Sequence, residues 1–417
     1  MSKRNENRMG YKMTKVGWIP EEWECVAFKS FAKLTAGGTP STRHPEYWNG
    51  SISWMCSGEL NLKQVLSVKG RISEKGLKNS STKIIPKHSV LVGLAGQGKT
   101  RGTVAINEID LCTNQSVAAI LPDTTKAYYL YLFFNLDNRY EELRRLSTGD
   151  GGRGGLNLGI LGTLKIPLPT LSEQNEIAEI LSEWDKAIEH LEKLITAKSK
   201  LKKAFMQQLL TGKHRFKEFK SNKWEKMKLH DLLKPVSRPV SRPDKKYLAL
   251  GLRSHGKGTF LRTVDNPEEV MMDTLYEVKE NDLIVNITFA WEGAIAIVNT
   301  SDEGALVSHR FPTYVFKKNK ATPEFFRHII LTKQFVYKLG LISPGGAGRN
   351  RVLSKKDFLN LVLSIPQLPE QKKIGAFLNG LDREINFLRN RLKAFTEQKK
   401  GLMQKLLTGN VRVRNRG

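Results

Sequence analysis

The stretch "LPTLSEQNEIAEILSEWDKAIEHLEKLITAKSKLKKAFMQQLLTG", which begins at Leu168, returns in similar form later in the chain. The second stretch begins at Ile365 and reads "IPQLPEQKKIGAFLNGLDREINFLRNRLKAFTEQKKGLMQKLLTG". Glu173 aligns with Glu370, and the final glycines keep the same separation of 197 residues, so the alignment contains no gap. A match of this length without a gap indicates a tandem duplication.

Each copy predicts one long helix with defined ends. In the first copy, Ser172 is a favourable N-cap, and Glu173 lies in the first turn, where the helix dipole favours a negative charge. In the second copy, Pro369 suits the opening turn. Gly212 and Gly409 stand where helices commonly stop.

Apolar residues recur along both copies at steps of three and four, which is the pattern of a coiled-coil seam. The alternative is a pair of amphipathic helices that pack separately on a core, but the length of the seam favours pairing of the two helices. Lys202 and Lys399 interrupt the pattern at matching positions. The residues that we predict to pair the helices are Ile177, Leu181, Trp184, Ile188, Leu191, Ile374, Leu378, Leu381, Ile385 and Leu388.

A segment of domain size precedes each helix, and the two segments resemble each other only faintly. Each contains short β-rich runs, at 89–92 and 102–106 in the first and at 282–288 and 294–298 in the second. Similar helices joined to divergent domains suggest a constant frame that carries two variable binding domains. The predicted boundaries are 1–14 for a disordered N-terminal tail, 15–167 for the first domain, 168–212 for the first helix, 213–364 for the second domain, 365–409 for the second helix and 410–417 for a basic tail.

The charge of the chain favours a polyanionic partner. It carries 68 Lys and Arg against 41 Asp and Glu, a formal net charge of +27 over 417 residues. Nucleic acid is the commonest partner of such a chain. An acidic membrane surface is the alternative, but no apolar run is long enough to span a bilayer. The three cysteines lack a C-x-x-C pair, which argues against structural zinc and fits the cytoplasm.

The stretch "GLAGQGKT" at 93–100 matches the pattern of a phosphate-binding loop and raises the alternative of a nucleotide hydrolase. Such a loop must run from a buried strand directly into a helix. The residues after it, "RGTVAINEIDLC", are interrupted by a glycine and contain several β-branched residues, which predicts a turn and a strand. We therefore interpret the stretch as a basic loop between two strands, whose side chains suit phosphates and base edges. The predicted DNA contacts in this loop are Gln97, Lys99, Thr100 and Arg101.

A glycine-rich basic loop precedes each helix, "TGDGGRGGLN" from Thr148 and "SPGGAGRNRVLS" from Ser343. Glycines let the backbone approach phosphates closely, and arginine supplies positive charge. We therefore expect DNA contact from Arg153, Arg349 and Arg351, with simple helix-entry turns as the alternative. We find no Asn-Pro-Pro-aromatic motif of an amino-methyltransferase and no ligand spacing for a metal. We assign no catalytic residue and no metal ligand.

The sequence resembles the specificity (S) subunit of type I restriction-modification enzymes over nearly the whole chain. The likeness rests on "GWIPEEWE" from Gly17, "GGTPSTRHPEYWNGSISW" from Gly37, and two Pro-x-Leu-x-Glu-Gln openings, from Pro169 and Pro366. Both helices also end in "LLTG". The resemblance implies an α+β fold in which two β-rich target recognition domains are joined by two long antiparallel coiled-coil helices, as a pseudo-twofold tandem repeat.

The resemblance also implies a function. Such a subunit binds a bipartite, asymmetric site on double-stranded DNA and assembles with two modification subunits, which bind S-adenosylmethionine and methylate adenine. Two restriction subunits, where present, add ATP-driven translocation and cleavage. The chain itself would then bind no cofactor and catalyse nothing. The remaining alternatives are the nucleotide hydrolase, which the missing catalytic partners disfavour, and a non-catalytic coiled-coil assembly protein, which the basic charge and the duplicated domains disfavour.

Overall fold

The structure is a computed structural model that describes residues 9–96, 98, 100–147, 155–346 and 351–413. The chain forms two compact units, and each of the two long helices is divided between them. The first unit comprises Met1–Glu192 and Arg391–Gly417, and the second comprises Lys193–Asn390.

The first unit is built on a five-stranded sheet in the order β4-β11-β8-β9-β6, in which only β6 pairs in parallel with its neighbour. Helix α2 covers β8 and β9, and their residues Val90, Val92 and Ile106 are fully buried. The strands are β1 (Tyr11–Thr14), β2 (Gly17–Pro20), β3 (Glu24–Ala27), β4 (Ala32–Ala36), β5 (Trp48–Met55), β6 (Gln64–Val65), β7 (Arg71–Ile72), β8 (Val90–Gly93), β9 (Val104–Asn107), β10 (Cys112–Thr113), β11 (Val117–Pro122) and β12 (Lys165–Leu168). The helices are α1 (Glu74–Lys78), α2 (Tyr129–Asn138), α3 (Tyr140–Leu146), α4 (Leu158–Thr163) and the first part of α5 (Leu171–Leu209).

The second unit has a four-stranded antiparallel sheet in the order β14-β22-β19-β20 and a five-stranded sheet in the order β15-β18-β21-β16-β17. Its strands are β13 (Glu225–Lys228), β14 (Leu233–Val236), β15 (Pro239–Ser241), β16 (Tyr247–Leu252), β17 (Thr259–Val264), β18 (Thr274–Glu277), β19 (Leu283–Val285), β20 (Ile295–Ile297), β21 (Leu306–Val307), β22 (Thr313–Phe316) and β23 (Val362–Ile365). Its helices are α6 (Leu229–Leu232), α7 (Pro323–Ile329), α8 (Lys333–Leu341), α9 (Lys355–Asn360) and the first part of α10 (Leu368–Leu406).

In both units, the strand before the long helix pairs with a strand from the start of the globular domain. Ile166 of β12 pairs with Val26 of β3, and Leu363 of β23 pairs with Met227 of β13, both antiparallel. The first and the last strand of these two pairings therefore bring the start and the end of each globular domain together where its long helix begins. The mixed helix and sheet content confirms the predicted α+β class.

Both predicted long helices are present, and each has 39 residues. The first begins at Leu171, so Ser172 lies inside the helix and the predicted N-cap is wrong. Thr170 takes that place, because its Oγ1 accepts a hydrogen bond from the Glu173 backbone N at 3.4 Å. Three residues after each helix, a glycine adopts the left-handed conformation that ends helices, with φ of 70° at Gly212 and 68° at Gly409.

The two long helices pack on each other in antiparallel fashion within each unit. In the first unit, the start of α5 meets the end of α10, where the rings of Trp184 and Phe395 lie 5.3 Å apart. In the second unit, the end of α5 meets the start of α10, where the ring centres of Phe205 and Phe377 lie 5.0 Å apart. The predicted antiparallel helix pair is thus confirmed. Part of the predicted seam, namely Ile177, Leu181, Ile374 and Leu378, is buried in clusters shared with the globular domains.

The two lysines that interrupt the seam form reciprocal ion pairs. Lys202 Nζ lies 2.5 Å from Asp382 Oδ1 in the second unit, and Lys399 Nζ lies 2.5 Å from Asp185 Oδ1 in the first. The lysines and the aspartates are each 197 residues apart. The same contact is therefore made twice with the copies exchanged, as a twofold repeat requires. Polar residues placed in a helix seam in this way set the register of the helices.

Both predicted tails include ordered residues. Residues 11–14, which we expected in a disordered tail, form β1, and Tyr11 Oη donates to the Gly409 carbonyl oxygen at 2.7 Å. Arg412, which we expected in the basic tail, pairs with Glu173. Across the described residues, no helix is long and apolar enough to cross a membrane.

Candidate nucleic-acid interface

In the first unit, a turn joins β8 to β9, and its described residues are 94–96, 98 and 100–103. Leu91 pairs with Ala105 across the hairpin. Beyond it, the Gly102 N donates to the Gly93 carbonyl oxygen at 2.9 Å, so the chain reverses and continues as a strand. A phosphate-binding loop would continue as a helix. The predicted strand-loop-strand arrangement is therefore confirmed, and the structural context of a nucleotide site is missing here.

Two of the four predicted contacts in this turn, Thr100 and Arg101, are described and partly exposed. Arg101 Nε is buried and has no hydrogen-bond partner among the described residues. A buried donor without a partner is costly, and an acceptor atom of a bound ligand at the turn is one way to satisfy it. Gln97 and Lys99 lie outside the described residues.

The end of the first glycine-rich loop lies beside this turn. A Cβ placed on Gly155 would be 3.4 Å from the Leu94 carbonyl oxygen. Arg144 of α3 donates to the Gly98 carbonyl oxygen, which ties the helix before the loop to the same turn. The structure thus brings together two segments that the sequence predicts separately. Arg153 itself lies outside the described residues.

The second unit repeats this juxtaposition with different residues. The turn between β19 and β20 carries Trp291, and the Arg351 guanidinium carbon lies 4.9 Å from the centre of its ring. Arg351 also donates from Nε to the Ser343 carbonyl oxygen at 3.2 Å and from Nη2 to the Gly340 carbonyl oxygen at 2.9 Å. Arg351 is therefore fixed beside the turn, whereas Arg349 lies outside the described residues.

A basic loop between β16 and β17, which is not among the predicted DNA contacts, borders the same turn. The His255 N donates to the Glu292 carbonyl oxygen at 2.7 Å, and the Gly256 N donates to the Gly293 carbonyl oxygen at 3.0 Å. The loop, "RSHGKG" at 253–258, offers three basic or ionisable side chains on a glycine-containing turn. The signal in the sequence is this short basic turn between two β-rich runs.

These loops supply the donors that phosphates and base edges accept. Among the residues that the structure describes, no group of three or more His, Cys, Asp or Glu side chains could hold a metal ion. The geometry therefore fits binding of a polyanion at the loops of each unit.

A glutamine at the start of each long helix anchors it to the globular domain of its unit. Gln174 Nε2 donates to the carbonyl oxygens of Lys126 and Pro169 at 3.0 and 2.8 Å. Its Oε1 accepts a hydrogen bond from the Tyr128 N at 2.8 Å. Gln371 makes the same three bonds in the second unit, with the Lys320 and Pro366 carbonyl oxygens and the Thr322 N.

The glutamate before that glutamine is buried and forms an ion pair with a partly exposed arginine. Glu173 accepts hydrogen bonds from Trp23 Nε1 at 2.9 Å and from Arg412 Nε at 2.6 Å. The hydrogen bonds that Arg412 donates to the Glu173 carboxylate, together with the one that it donates to Glu22, raise the pKa of Arg412. The same guanidinium lowers the pKa of Glu22 through its hydrogen bond. The last described residues of the chain are thus held to the first domain.

The second unit keeps the ion pair but not the indole bond. Arg215 Nε donates to Glu370 Oε1 at 2.9 Å, and this hydrogen bonding raises the pKa of Arg215. Trp224, the counterpart of Trp23, has a buried Nε1 without a hydrogen-bond partner among the described residues.

The junction between helix and domain also carries a histidine in the second unit where the first has a phenylalanine. In the first unit, Lys399 Nζ lies 5.1 Å from the ring centre of Phe134. In the second, His328 Nε2 lies 2.8 Å from Asn379 Oδ1, and Nδ1 lies 3.9 Å from Asp382 Oδ2. Burial lowers the pKa of His328 to about 4, so the ring is neutral at pH 7.

The comparisons with known proteins agree with this architecture. A family model for the type I restriction modification DNA specificity domain matches residues 20–199 and 221–396, one match for each repeat. The chain is 26% identical, over 421 residues, to the type I restriction enzyme MjaVIII specificity subunit of Methanocaldococcus jannaschii, covering 95% of each protein. It is 35% identical over 187 residues to the MjaIX specificity subunit of the same organism, covering 44% of this chain and 42% of the relative. The crystal structure of a type I restriction-modification S subunit from M. genitalium shares the fold, with a TM-score of 0.59 at 16% identity over 95% of this chain and 98% of that one.

Proposed function

The chain belongs to the type I restriction-modification DNA specificity family, and from this premise we propose that its two globular domains bind the two unlike halves of one bipartite DNA site. The observation that carries the proposal is the pair of reciprocal ion pairs, Lys202 with Asp382 and Lys399 with Asp185. These ion pairs join the two copies of the helix to each other by equivalent contacts, whereas the loops of the two globular domains differ in sequence. A repeated frame with different loops suits a site whose halves differ.

We further propose that the chain assembles with two modification subunits, and with two restriction subunits where these are present. The modification subunits would supply the S-adenosylmethionine site and the methylation of adenine, and this chain would bind no cofactor. The specificity role argues for a non-catalytic chain, which acts in the cytoplasm where its DNA lies. The described turns carry basic and polar groups that suit DNA.

The experiment that tests this function is co-expression of the chain with its modification subunit in a host without adenine methylation, followed by mapping of methylated adenines. We expect methylation at an asymmetric motif in two parts, separated by a gap of constant length. The chain alone should methylate nothing. Methylation by the purified chain alone, or a continuous symmetric motif, would contradict the proposal.

Direct binding measurements separate this function from the nucleotide-hydrolase alternative. The purified chain should bind its DNA site with an affinity that falls steeply as salt rises, because phosphate contacts release counterions. Lys99→Ala should weaken DNA binding by about 1 kcal/mol or more if the side chain contacts a base edge. Micromolar ATP binding that Lys99→Ala abolishes would favour the hydrolase instead.

A further inference from the structure

A groove of about 1030 Å³ opens on the second unit and is not used by the DNA-binding loops described above. The end of α5, the strands β13 and β23, and the junction of α7 with α8 form its walls. None of its lining residues is an aspartate or a glutamate. Five lysines line it, namely Lys203, Lys213, Lys226, Lys333 and Lys338.

Four of these five lysines have free ammonium groups. Lys338 Nζ donates to the Val362 carbonyl oxygen, whereas the other four form no ion pair with any described residue. The N-terminus of α8, capped by Thr332, also lines the groove and adds the positive end of a helix dipole. The groove therefore concentrates positive charge, and no described carboxylate forms an ion pair with these four lysines.

The acidic residues beside this helix N-terminus differ between the two units. The first turn of α8 contains no acidic residue. In the first unit, the short helix α3 stands at the matching place in the chain order, and its first turn contains Glu141 and Glu142. The positive end of the helix dipole is therefore opposed by nearby carboxylates in the first unit and not at α8 in the second.

The floor of the groove is apolar, which decides between the polyanions that could fill it. Met206 is half-buried there, and Ile329 and Phe335 are buried at its base. Outside the groove lining, α8 also exposes Tyr337 and Leu341 by 68% and 66%. A phosphodiester backbone has few apolar groups to bury on such a floor, whereas a peptide can bury side chains. Exposed apolar residues beside a charged rim are typical of protein interfaces.

We propose that this groove binds an acidic segment of the modification subunit. Apolar side chains of that segment would lie on the floor, and its carboxylates would face the four free lysines. The inference rests on the proposed assembly with that subunit, and it names the surface and the chemistry of the contact. Complementary charge of this kind mainly speeds association and selects the partner.

The test is a charge reversal in the full chain, K203E/K213E/K226E/K333E. A matched control, K245E/K279E/K318E/K356E, makes the same change in net charge at exposed lysines of the second unit outside the groove. Affinity for the purified modification subunit is measured by calorimetry at two salt concentrations, and affinity for the DNA site by fluorescence anisotropy. We expect the groove variant to bind the subunit at least about ten-fold more weakly and with less salt dependence, while the control binds it like the wild type.

The outcomes separate the groove from the function. If the wild type binds the subunit and the groove variant binds it equally well, the groove is not the contact, although the proposed function stands. If the groove variant loses DNA binding but keeps the subunit, phosphates occupy the groove and the inference is overturned. If the wild type does not bind the subunit, the proposed assembly fails as well.

A second measurement does not depend on how the lysine variant folds. A photo-crosslinking p-benzoylphenylalanine at Gln334, which lines the groove, is irradiated in the assembled complex. Mass spectrometry should find it joined to a segment of the modification subunit that is rich in aspartate and glutamate. A crosslink to a segment without acidic residues would refute the proposed chemistry.

Discussion

Lengthening both long helices by four residues at matching sites should change the gap between the two half-sites on DNA and leave the half-sites themselves unchanged. Ala197 and Ala394 occupy the same position in the two copies. Each lies between the aspartate and the lysine that its own helix contributes to the reciprocal ion pairs. Inserting four residues after both alanines therefore keeps both ion pairs in register.

The expected magnitude follows from helix geometry. Four residues add about 6 Å to an α-helix at about 1.5 Å per residue. B-DNA rises about 3.4 Å per base pair, so the gap should grow by one or two base pairs. Four residues also turn an α-helix by about 40° beyond one full turn. This rotation is close to that of about one base pair of B-DNA.

Selection of bound sites from a random DNA pool, or mapping of methylated sites, reports both the gap and the half-sites. The control is the same insertion after Ala197 alone, which lengthens one helix and shifts Lys202 against Asp382 by about 6 Å. That variant should lose stability and assembly. An unchanged gap in a folded, assembled double-insertion variant would show that the helices do not set the spacing. Altered half-sites would show that other elements read the bases.

Two further predictions concern the junctions between helix and domain. Arg215→Gln should cost about 3–5 kcal/mol in the free energy of unfolding, because it leaves the Glu370 carboxylate, which is 1% exposed, without its charge partner. Arg412→Gln should cost about half as much, because the Arg412 guanidinium is 37% exposed and solvent screens its charge. Urea unfolding measures the free energy of unfolding of both variants. Equal losses in the two variants would contradict the reasoning. His328→Phe, which copies Phe134 of the first unit, should leave the free energy of unfolding within about 1 kcal/mol of the wild type at pH 7. It removes the buried Nδ1, which has no hydrogen-bond partner among the described residues, but also the contact of Nε2 with Asn379 Oδ1 at 2.8 Å. Burial lowers the pKa of His328 from 6.5 to about 4, so the unfolded chain binds the proton more readily and the wild type loses stability as the pH falls from about 6.5 to about 4. The His328→Phe variant should lack this loss. Urea unfolding at pH 7 and at pH 5 measures the free energy of unfolding of both proteins. If their difference in this free energy is the same at both pH values, His328 is not the group responsible.

The long helices could be predicted from the sequence because their signals are local. Periodicity, the opening Pro-x-Leu-x-Glu-Gln and the closing glycines lie within each copy. The gapless repeat then showed that both copies form the same element. The role of Lys202 and Lys399 could not be predicted in this way, because a lysine in a seam is explained only by the aspartate on the other helix. The matching positions of Asp185 and Asp382 are a signal that pairwise comparison of the copies could have found.

The binding loops were predicted less completely than the helices. The composition after Thr100 was enough to show that a strand follows the phosphate-loop pattern, because β-branched residues carry that information locally. The surroundings of Arg351 were not predictable, since Trp291 lies 60 residues earlier in the chain and meets it only through the fold. For the same reason the ordered residue Arg412 was misplaced in a tail, because its partner Glu173 is 239 residues away.

The contacts between helix and domain also explain how the two domains can differ so much on similar helices. The amide of Gln174 bonds only to backbone atoms, one of them the Tyr128 N, and the amide of Gln371 bonds in the same way to the Thr322 N. Backbone N–H and C=O groups are present at every residue other than proline, which lacks the N–H, so a side chain that binds them places little demand on the sequence of the domain. Among the side-chain contacts at the same junction, the Glu–Arg pair is kept, whereas the Trp23 bond to Glu173 has no equivalent, because Trp224 Nε1 has no hydrogen-bond partner among the described residues. A helix that binds the backbone of its domain can therefore carry domains of different sequence, which is what two unlike half-sites require.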